Sequence, residues 1–149
     1  MAEADERRYL DDFQVGQRFT TGTHTMSEAE IIAFAREFDP QPFHLDHEAA
    51  RDSPLDGLAA SGWHTAAITM RLQVDGEMLA GGIVGAGGEI NWPAPTRPGD
   101  VLHVETEVLE VRVSRSRPDR GIVTTLSETK TQHGTVVQTL RANLIVPRR

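Results

Sequence analysis

The stretch GWHTAAITMRLQVDGEML, residues 62–79, decides the fold that this sequence predicts. Its first half is mostly apolar, and a helix of that kind is usually buried on most sides. The segments that follow have strand character and are joined by short turns; they are 83–92, 101–114, 122–131 and 136–146. Strands in this order after one buried helix predict an antiparallel sheet wrapped around that helix, an α+β fold.

One of these strands, 101–114, changes phase along its length. Leu102 and Val108 occupy one face, whereas Leu109 and Val111 follow on the other face. Side chains alternate between the two faces of a sheet, so this slip requires one extra residue in the strand. We therefore expect a β-bulge near Val108 and Leu109.

Shorter elements precede the long helix. A polar, Thr-rich extended piece at 17–26 leads into SEAEIIAFAREF, residues 27–38, which begins with the S-x-x-E spacing of a capping box. Its apolar residues recur at helical spacing, and Pro40 ends the helix because it disfavours α geometry at the preceding residue. A helical turn at 47–52, with Asp46 as its N-cap, is expected next.

Length and composition restrict the class of protein. The 149 residues suit one domain, 1–149, in which residues 1–8 are expected to form a flexible tail. There is no cysteine, which excludes disulfides, thiolate nucleophiles and Cys-ligated zinc. The net charge of −7 argues against nucleic acid as a partner. The charged N-terminus and the lack of a long apolar run favour a cytoplasmic protein without a signal peptide or membrane span.

The segment DPQPFH places Asp39 and His44 on either side of two prolines. Asp39 follows the C-terminus of a predicted helix, where the helix dipole disfavours a negative charge, so helix stability does not explain it. An Asp and a His that share one water could activate that water and move its proton. Judged on spacing alone, a stiff polar turn is the more common explanation of these residues.

The start of the long helix is a second candidate site. Ser61 and Gly62 stand where the free N–H groups and the dipole of a helix N-terminus can stabilise a developing oxyanion. An ordinary N-cap by Ser61 explains the same residues and is the more common case. Covalent catalysis is poorly supported, because the sequence contains no cysteine and no G-x-S-x-G elbow.

Two other clusters suggest ligands less strongly. His44, Asp46 and His47 could bind a metal, but Asp46 is needed as an N-cap and a further ligand would be required. The run GGIVGAGG, residues 81–88, lacks the G-x-G-x-x-G order and precedes a strand, so close backbone packing is favoured over phosphate binding. We therefore expect no metal at the first cluster and no phosphate at the glycine run.

Four arginines crowd the turn between the second and third strands after the long helix; they are Arg112, Arg115, Arg117 and Arg120. Arg115 and Arg117 could bind phosphates of a nucleotide-bearing substrate, although a solvated hairpin is favoured. Four further histidines are isolated in the sequence and are expected to serve packing or the surface. They are His24, His64, His103 and His133.

Three stretches together resemble the MaoC-type dehydratases, which include the R-specific enoyl-CoA hydratases. They are FDPQPFHLDHEAA at 38–50, ASGWHTAAITMRL at 60–72 and INWPAPTRPGD at 90–100. The resemblance extends from about Tyr9 to Val146, and its D-x-[NQ]-P-x-H-x-D core is fairly specific. Two positions differ from the common family pattern: Gln41 stands where Asn is usual, and Ser61 precedes Gly62 where His is usual.

The resemblance implies a hot-dog domain that forms a homodimer, or a higher homo-oligomer, by joining sheets. It implies that Asp39 and His44 act together on one water, which adds across the double bond of a trans-2-enoyl thioester. By the same resemblance the Gly62 N–H, beside Ser61, is the oxyanion donor and substrate contact, and Gln41 orients the loop. The implied substrate is an acyl-CoA or acyl-carrier-protein thioester, with no metal or redox cofactor.

The sequence thus predicts a lyase of fatty-acid metabolism, an enoyl-thioester hydratase or 3-hydroxyacyl-thioester dehydratase. Two other classes remain open. An acyl-CoA thioesterase on the same fold would release a free thiol, and a non-catalytic acyl-thioester binder would show no turnover.

Overall fold

The computed structural model describes residues 7–149, so the first six residues of the expected tail lie outside the described chain. The strands of the described part are β1 (Arg18–Thr20), β2 (His24–Thr25), β3 (Val84–Asn91), β4 (Val101–Val113), β5 (Arg120–Lys130) and β6 (Val136–Pro147). Its α-helices are α1 (Glu28–Phe38), α2 (Pro42–Leu45), α3 (His47–Arg51) and α4 (Gly62–Asp75). The extended piece predicted at 17–26 is therefore split into β1 and β2.

All strand pairs in the described part are antiparallel, in the order β1-β4-β5-β6-β3, and β2 also pairs with β4. The long helix α4 contacts β4 and β6. This is the antiparallel sheet around a central helix that the sequence predicts, and the α+β class is confirmed. Strand β3 stands at the end of the order and is exposed over most of its length.

Helix α4 is shorter than predicted, because it ends at Asp75 rather than at Leu79. Gly76 leaves the helical conformation for extended backbone, while its N–H still bonds to the Leu72 and Gln73 carbonyls. A glycine just after the last periodic residue commonly ends a helix. The helix was predicted to continue to Leu79 because apolar residues follow Gly76 at positions 78 and 79.

The burial of α4 differs from the prediction that this helix is covered on most sides. Its buried face carries polar residues four positions apart, Thr65, Thr69 and Gln73. The Thr69 hydroxyl bonds to that of Thr129 at 2.6 Å, and Gln73 donates to the Ser127 hydroxyl at 2.9 Å. Three large apolar side chains of the helix are exposed in the single chain instead: Trp63, Met70 and Val74. Hydroxyl groups on β5 satisfy Thr69 and Gln73, and the Thr96 hydroxyl in the turn before β4 pairs with Thr65. A count of apolar residues cannot reveal this pairing.

Strand β4 contains the predicted bulge. Val108 pairs with Thr125 and Glu110 pairs with Thr124, so Leu109 is the extra residue. The change of phase in the sequence therefore reported a real irregularity of the strand.

The buried apolar residues form two clusters. One contains Leu10, Phe13, Met78, Leu79, Val108, Val123, Leu144 and Val146. The other contains Met26, Ile31, Ala60, Leu72, Leu102, Val104 and Val137, and it supports the loops that precede α4. The Arg8 N–H bonds to the Ala80 carbonyl at 2.9 Å, so ordered contacts begin within the segment expected to be a tail. None of the helices in the described part has the length and apolar content needed to cross a membrane.

Candidate active site

The prolines of the DPQPFH segment bring Asp39 and His44 together. Asp39 ends α1, and α2 begins at Pro42 with Gln41 as its N-cap, which puts His44 on a separate helical turn. The Nε2 atom of His44 lies 3.3 Å from Oδ2 of Asp39. The side chains are 7% and 18% exposed, respectively, so water reaches both sparingly.

The hydrogen bonds of His44 determine which of its nitrogens carries a proton. Its Nδ1 lies 2.7 Å from the carbonyl oxygen of Ala59, which can only accept, so Nδ1 is the donor. In the neutral ring, Nε2 then presents a lone pair toward the Asp39 carboxylate. Two acceptors 3.3 Å apart attract each other only when a proton lies between them or a water bridges them, so this pair is arranged to exchange a proton.

Donors surround the Asp39 carboxylate. Gln41 Nε2 donates to Oδ1 at 2.6 Å, and the Ser61 hydroxyl donates to the same carboxylate. Partial burial opposes ionisation, but the hydrogen bonds from Ser61 and Gln41 and the neighbouring His44 outweigh it and lower the pKa of Asp39. Asp39 is therefore held as a carboxylate near neutral pH.

Ser61 lies at the junction of the two candidate sites. Its Oγ accepts the Trp63 N–H at 3.2 Å as the N-cap of α4, while its proton is directed to Asp39. The side chain is fully buried and does not line the cavity beside Gly62. The structure thus links Ser61 to the carboxylate, whereas the sequence placed it with the oxyanion donor.

Gly62 is the first residue of α4, and no acceptor among the described residues contacts its N–H. A Cβ atom at this position would lie 2.6 Å from the Trp92 indole, so only glycine fits beneath that ring. The indole is fixed by a hydrogen bond from its Nε1 to Gln138 Oε1 at 3.0 Å. A free N–H is therefore presented beside a rigid aromatic wall, at the positive end of a helix dipole.

A cavity of about 360 Å³ connects these groups. Among residues 7–149, His44 is the only ionisable residue that lines it, and Gly62 and Trp92 are also part of its wall. The other lining residues are Phe43, Pro54, Leu55, Ala60, Thr65, Pro93, Ala94, Pro95, Thr96 and Val137. An apolar cavity with one imidazole and one free backbone N–H suits an acyl chain whose polar end faces these two groups.

Sequence reasoning missed three contributors to the site. The Ala59 carbonyl leaves no side-chain signal, so no motif could have indicated it. Trp92 lies within the INWPAP stretch and its size could have suggested a cavity wall, but its partner Gln138 is distant in the sequence. Gln138 is 1% exposed, a rare position for an amide, and burial is visible only in the fold.

Arg115 and Arg117 are not brought to the cavity of their own chain. They lie in the hairpin between β4 and β5, at the opposite end of the 13-residue β4 from the Pro93–Asp100 turn. At about 3.4 Å per residue the two ends are separated by roughly 40 Å. Phosphate binding by these arginines stays a prediction that would require another chain.

The residues considered as metal ligands have other partners. Asp46 caps α3 by accepting the N–H groups of Glu48 and Ala49, and His47 contacts Glu28. No group of three potential ligands within residues 7–149 is suitably placed for a metal ion. The glycine run at 81–88 forms a turn and the edge strand β3, with no helix after it.

Two histidines that are isolated in the sequence meet in the structure. The Glu30 carboxylate lies 2.7 Å from His24 Nε2 and 3.9 Å from His64 Nε2. Glu30 therefore completes only half of the predicted capping box, in which Ser27 Oγ accepts its N–H at 3.2 Å. His64 stacks on Phe34, with ring centroids 4.6 Å apart.

The fold is that of a hot-dog domain of the MaoC-like type, and the chain belongs to that family. The sequence model of the family described as MaoC like domain matches residues 12–131. A MaoC-like dehydratase of known structure from Rhodospirillum rubrum is 62% identical, with a TM-score of 0.93 over 95% of this chain and 98% of that chain.

Two further relatives differ in what is known of them. YdeM of Bacillus subtilis (strain 168), an uncharacterized protein, is 38% identical over 83% of this chain and 87% of its own length. The 3-hydroxybutyryl-CoA dehydratase of Methylorubrum extorquens is 32% identical over 73% of this chain and 69% of its own length.

R-hydratases of Pseudomonas aeruginosa and A. caviae are similar in fold, at 25% identity and TM-scores of 0.72 and 0.73. At the level of the family, these findings support a hydratase or dehydratase of acyl-CoA thioesters.

Proposed function

We propose that this protein adds water to, or removes it from, an enoyl or 3-hydroxyacyl thioester, with Asp39 and His44 as the acid–base pair. The observation that carries the proposal is the 3.3 Å contact between His44 Nε2 and the Asp39 carboxylate at an apolar cavity. The free N–H of Gly62 beside the same cavity supports it. The 3-hydroxybutyryl-CoA dehydratase relative supports the substrate class.

In the hydration direction, the thioester carbonyl accepts a hydrogen bond from Gly62 N–H, which stabilises the negative charge that develops on its oxygen. Water attacks C3, and the Asp39–His44 pair takes one of its protons. The pair returns a proton to C2, so that H and OH are added across the double bond. Dehydration follows the same steps in reverse.

The proposal includes a homodimer. Strand β3 is an exposed sheet edge, and the outer face of α4 leaves Trp63 and Val74 61% and 56% exposed. A second copy of this chain could extend the sheet through β3 and cover that apolar face. Sedimentation equilibrium at micromolar concentration tests this, and a strictly monomeric protein would contradict it. A cytoplasmic location and a role in fatty-acid metabolism are part of the same proposal.

The decisive measurement is the turnover of crotonyl-CoA, followed as loss of the conjugated absorbance, by wild-type protein and by Asp39→Asn. We expect turnover by the wild type and a loss of about 10²–10⁴-fold in kcat/KM for Asp39→Asn, the usual contribution of a general acid–base group. Asp46→Asn is the matched control, because it changes a carboxylate that only caps α3.

A thiol reagent in the same assay separates the alternative classes. Free thiol produced without hydration would indicate a thioesterase. Binding of crotonyl-CoA and of longer enoyl-CoA esters without any turnover would indicate a non-catalytic binder. Either result would overturn the proposed activity.

A further inference from the structure

The backbone carbonyl that fixes His44 belongs to a segment without regular secondary structure, residues 52–60, between α3 and α4. Ala59 is fully buried, and its oxygen is the acceptor for His44 Nδ1. The segment turns through Asp56 and Gly57, which have φ values of 53° and 139°. Nothing in its own local structure explains how the Ala59 oxygen is held in place.

Arg97 reaches this segment from the turn between β3 and β4. Its Nη1 donates to the Gly57 carbonyl at 2.9 Å and to the Leu58 carbonyl at 3.3 Å, and its Nη2 donates to the Leu55 carbonyl. The Arg97 backbone is itself anchored, because its N–H donates to Asp100 Oδ2 at 2.8 Å. One guanidinium therefore binds three carbonyl oxygens of the segment immediately before Ala59.

Two backbone hydrogen bonds fix Ala59 itself and the residue after it. The Ala60 N–H donates to the Thr96 carbonyl at 2.9 Å, and the Ala59 N–H donates to the Phe43 carbonyl at 3.3 Å. Thr96 and Arg97 are adjacent, so the same turn is hydrogen-bonded to the segment both before and after Ala59. Ala59 therefore contacts both Phe43, through its own N–H, and the His44 imidazole, through its carbonyl oxygen.

We propose that Arg97 is a positioning residue that acts on His44 through the Leu55–Ala59 segment. This role rests on the function proposed for the Asp39–His44 pair. The guanidinium fixes the carbonyls, the carbonyls fix the Ala59 oxygen, and that oxygen keeps the proton of His44 on Nδ1. The Nε2 lone pair is thereby kept toward Asp39 and the cavity.

The chemistry of arginine suits this role better than that of lysine. A guanidinium presents several N–H donors in a rigid, planar fork, whereas an ammonium is a compact point charge on a flexible stem. A lysine at this position could reach one carbonyl but could not hold all three at once. Carbonyls left without a donor in this partly buried segment would favour a shift of the loop.

The first test compares Arg97→Met and Arg97→Lys with wild type in the crotonyl-CoA assay. A displacement of about 1 Å at a catalytic group can cost about a hundredfold in rate, so we expect Arg97→Met to lose up to about a hundredfold in kcat. KM should change less, the pH dependence of kcat/KM should alter, and Arg97→Lys should recover part of the rate. Arg71→Met is the control, because Arg71 is exposed and pairs only with Asp75.

The second test reads the imidazole directly. In protein labelled with ¹⁵N-histidine, the His44 ring should show one tautomer, protonated on Nδ1, in wild type and Arg71→Met. In Arg97→Met the Nδ1 proton should exchange faster and the two tautomers should mix; Arg97→Lys provides the same comparison if the methionine variant does not fold. Folded Arg97 variants with wild-type kcat, pH profile and His44 signals would overturn the proposal, as would a loss of activity that only follows a lower Tm. If the wild type has no hydratase activity, the proposed function fails, while the ring signals still decide whether Arg97 positions His44.

Discussion

Taken as whole residues, His44 and His64 are both 5% exposed, and each has a carboxylate near its Nε2 atom. At His44 the carboxylate of Asp39 is 3.3 Å away and Nδ1 has a backbone acceptor. At His64 the carboxylate of Glu30 is 3.9 Å away and is bonded to His24, and none of the described residues forms a hydrogen bond with its buried Nδ1. The two histidines, one before α4 and one in its first turn, are thus equally buried but have different chemical environments.

The difference teaches that partners, rather than burial, decide what a histidine can do. His44 has one nitrogen committed as a donor and the other directed to an ionised acid at a cavity, which suits proton transfer. His64 lies outside the cavity walls and stacks on Phe34, which suits packing. Burial lowers the pKa of His64, Glu30 acts in the opposite direction, and His24 adds to the lowering. The surroundings of His64 therefore disfavour its protonated form, whereas proton exchange at His44 is the role that we propose for it.

Glutamine substitutions at the two histidines test this contrast with the largest expected effect. His44→Gln should lose about 10²–10⁴-fold in kcat/KM for crotonyl-CoA, because a general acid–base group is removed. His64→Gln should keep most of the activity, since His64 does not line the cavity. Thermal melts verify that both variants are folded. An equal loss of activity in two folded variants would show that the division between the sites is wrong.

Much of the fold was predictable because local signals agreed with the tertiary structure. The bulge at Leu109 followed from the change of phase in β4, and Asp46 caps α3 as its side-chain chemistry predicts. The faces of α4 were not predictable. Thr65, Thr69 and Gln73 can be buried because hydroxyl groups from other elements satisfy them: Thr96 in the turn before β4, and Thr129 and Ser127 on β5. No periodicity within the helix reports a partner that is distant in the sequence.

The residues of the candidate site likewise divide into those that the sequence indicates and those that only the structure reveals. Asp39 and His44 became candidates because the prolines and an unfavourable helix-end charge are readable in sequence, and the resemblance supplied the reaction type. The structure brings the two side chains together, and their catalytic role stays a proposal. The Ala59 carbonyl and the Arg97 guanidinium were not identified, because their roles depend on how two loops meet. Glu30 was assigned to a capping box, but its carboxylate joins His24 and His64, which are far apart in sequence.

Removing the Ser61 hydroxyl takes one hydrogen-bond donor away from Asp39, and its effect on kcat/KM is expected to be smaller than that of His44→Gln. The Ser61 hydroxyl lowers the pKa of Asp39, so Ser61→Ala should raise that pKa. Asp39 would then stay protonated to a higher pH, and the acid limb of the kcat/KM profile should move to higher pH. Loss of the N-cap should also reduce the free energy of unfolding by about 1 kcal/mol.

Ser61→Thr is the matched control for this change, because it keeps a hydroxyl for both the cap and the carboxylate. Its acid limb should lie close to that of wild type. An acid limb that does not move in Ser61→Ala would mean that ionisation of Asp39 does not set it.

The smallest effect concerns stability rather than catalysis, and it tests the His64 side of the contrast. The pKa of His64 is lowered in the folded chain, whereas in the unfolded chain it is expected near the ordinary value of about 6.5. As the pH falls below about 6.5, His64 binds a proton more readily in the unfolded chain than in the folded chain, so the free energy of unfolding decreases. His64→Phe preserves an aromatic ring against Phe34 and has no proton to bind, so this contribution to acid sensitivity should be absent.

Urea unfolding of wild type and His64→Phe at several pH values from about 7.5 down to about 5 measures this contribution. The difference in unfolding free energy between the two proteins should change steadily in favour of the variant as the pH falls. A difference that stays constant over this range would mean that His64 is protonated as readily in the folded chain as in the unfolded one. In that case the Glu30 carboxylate would offset the effect of burial on His64, and the contrast between the two histidines would fail.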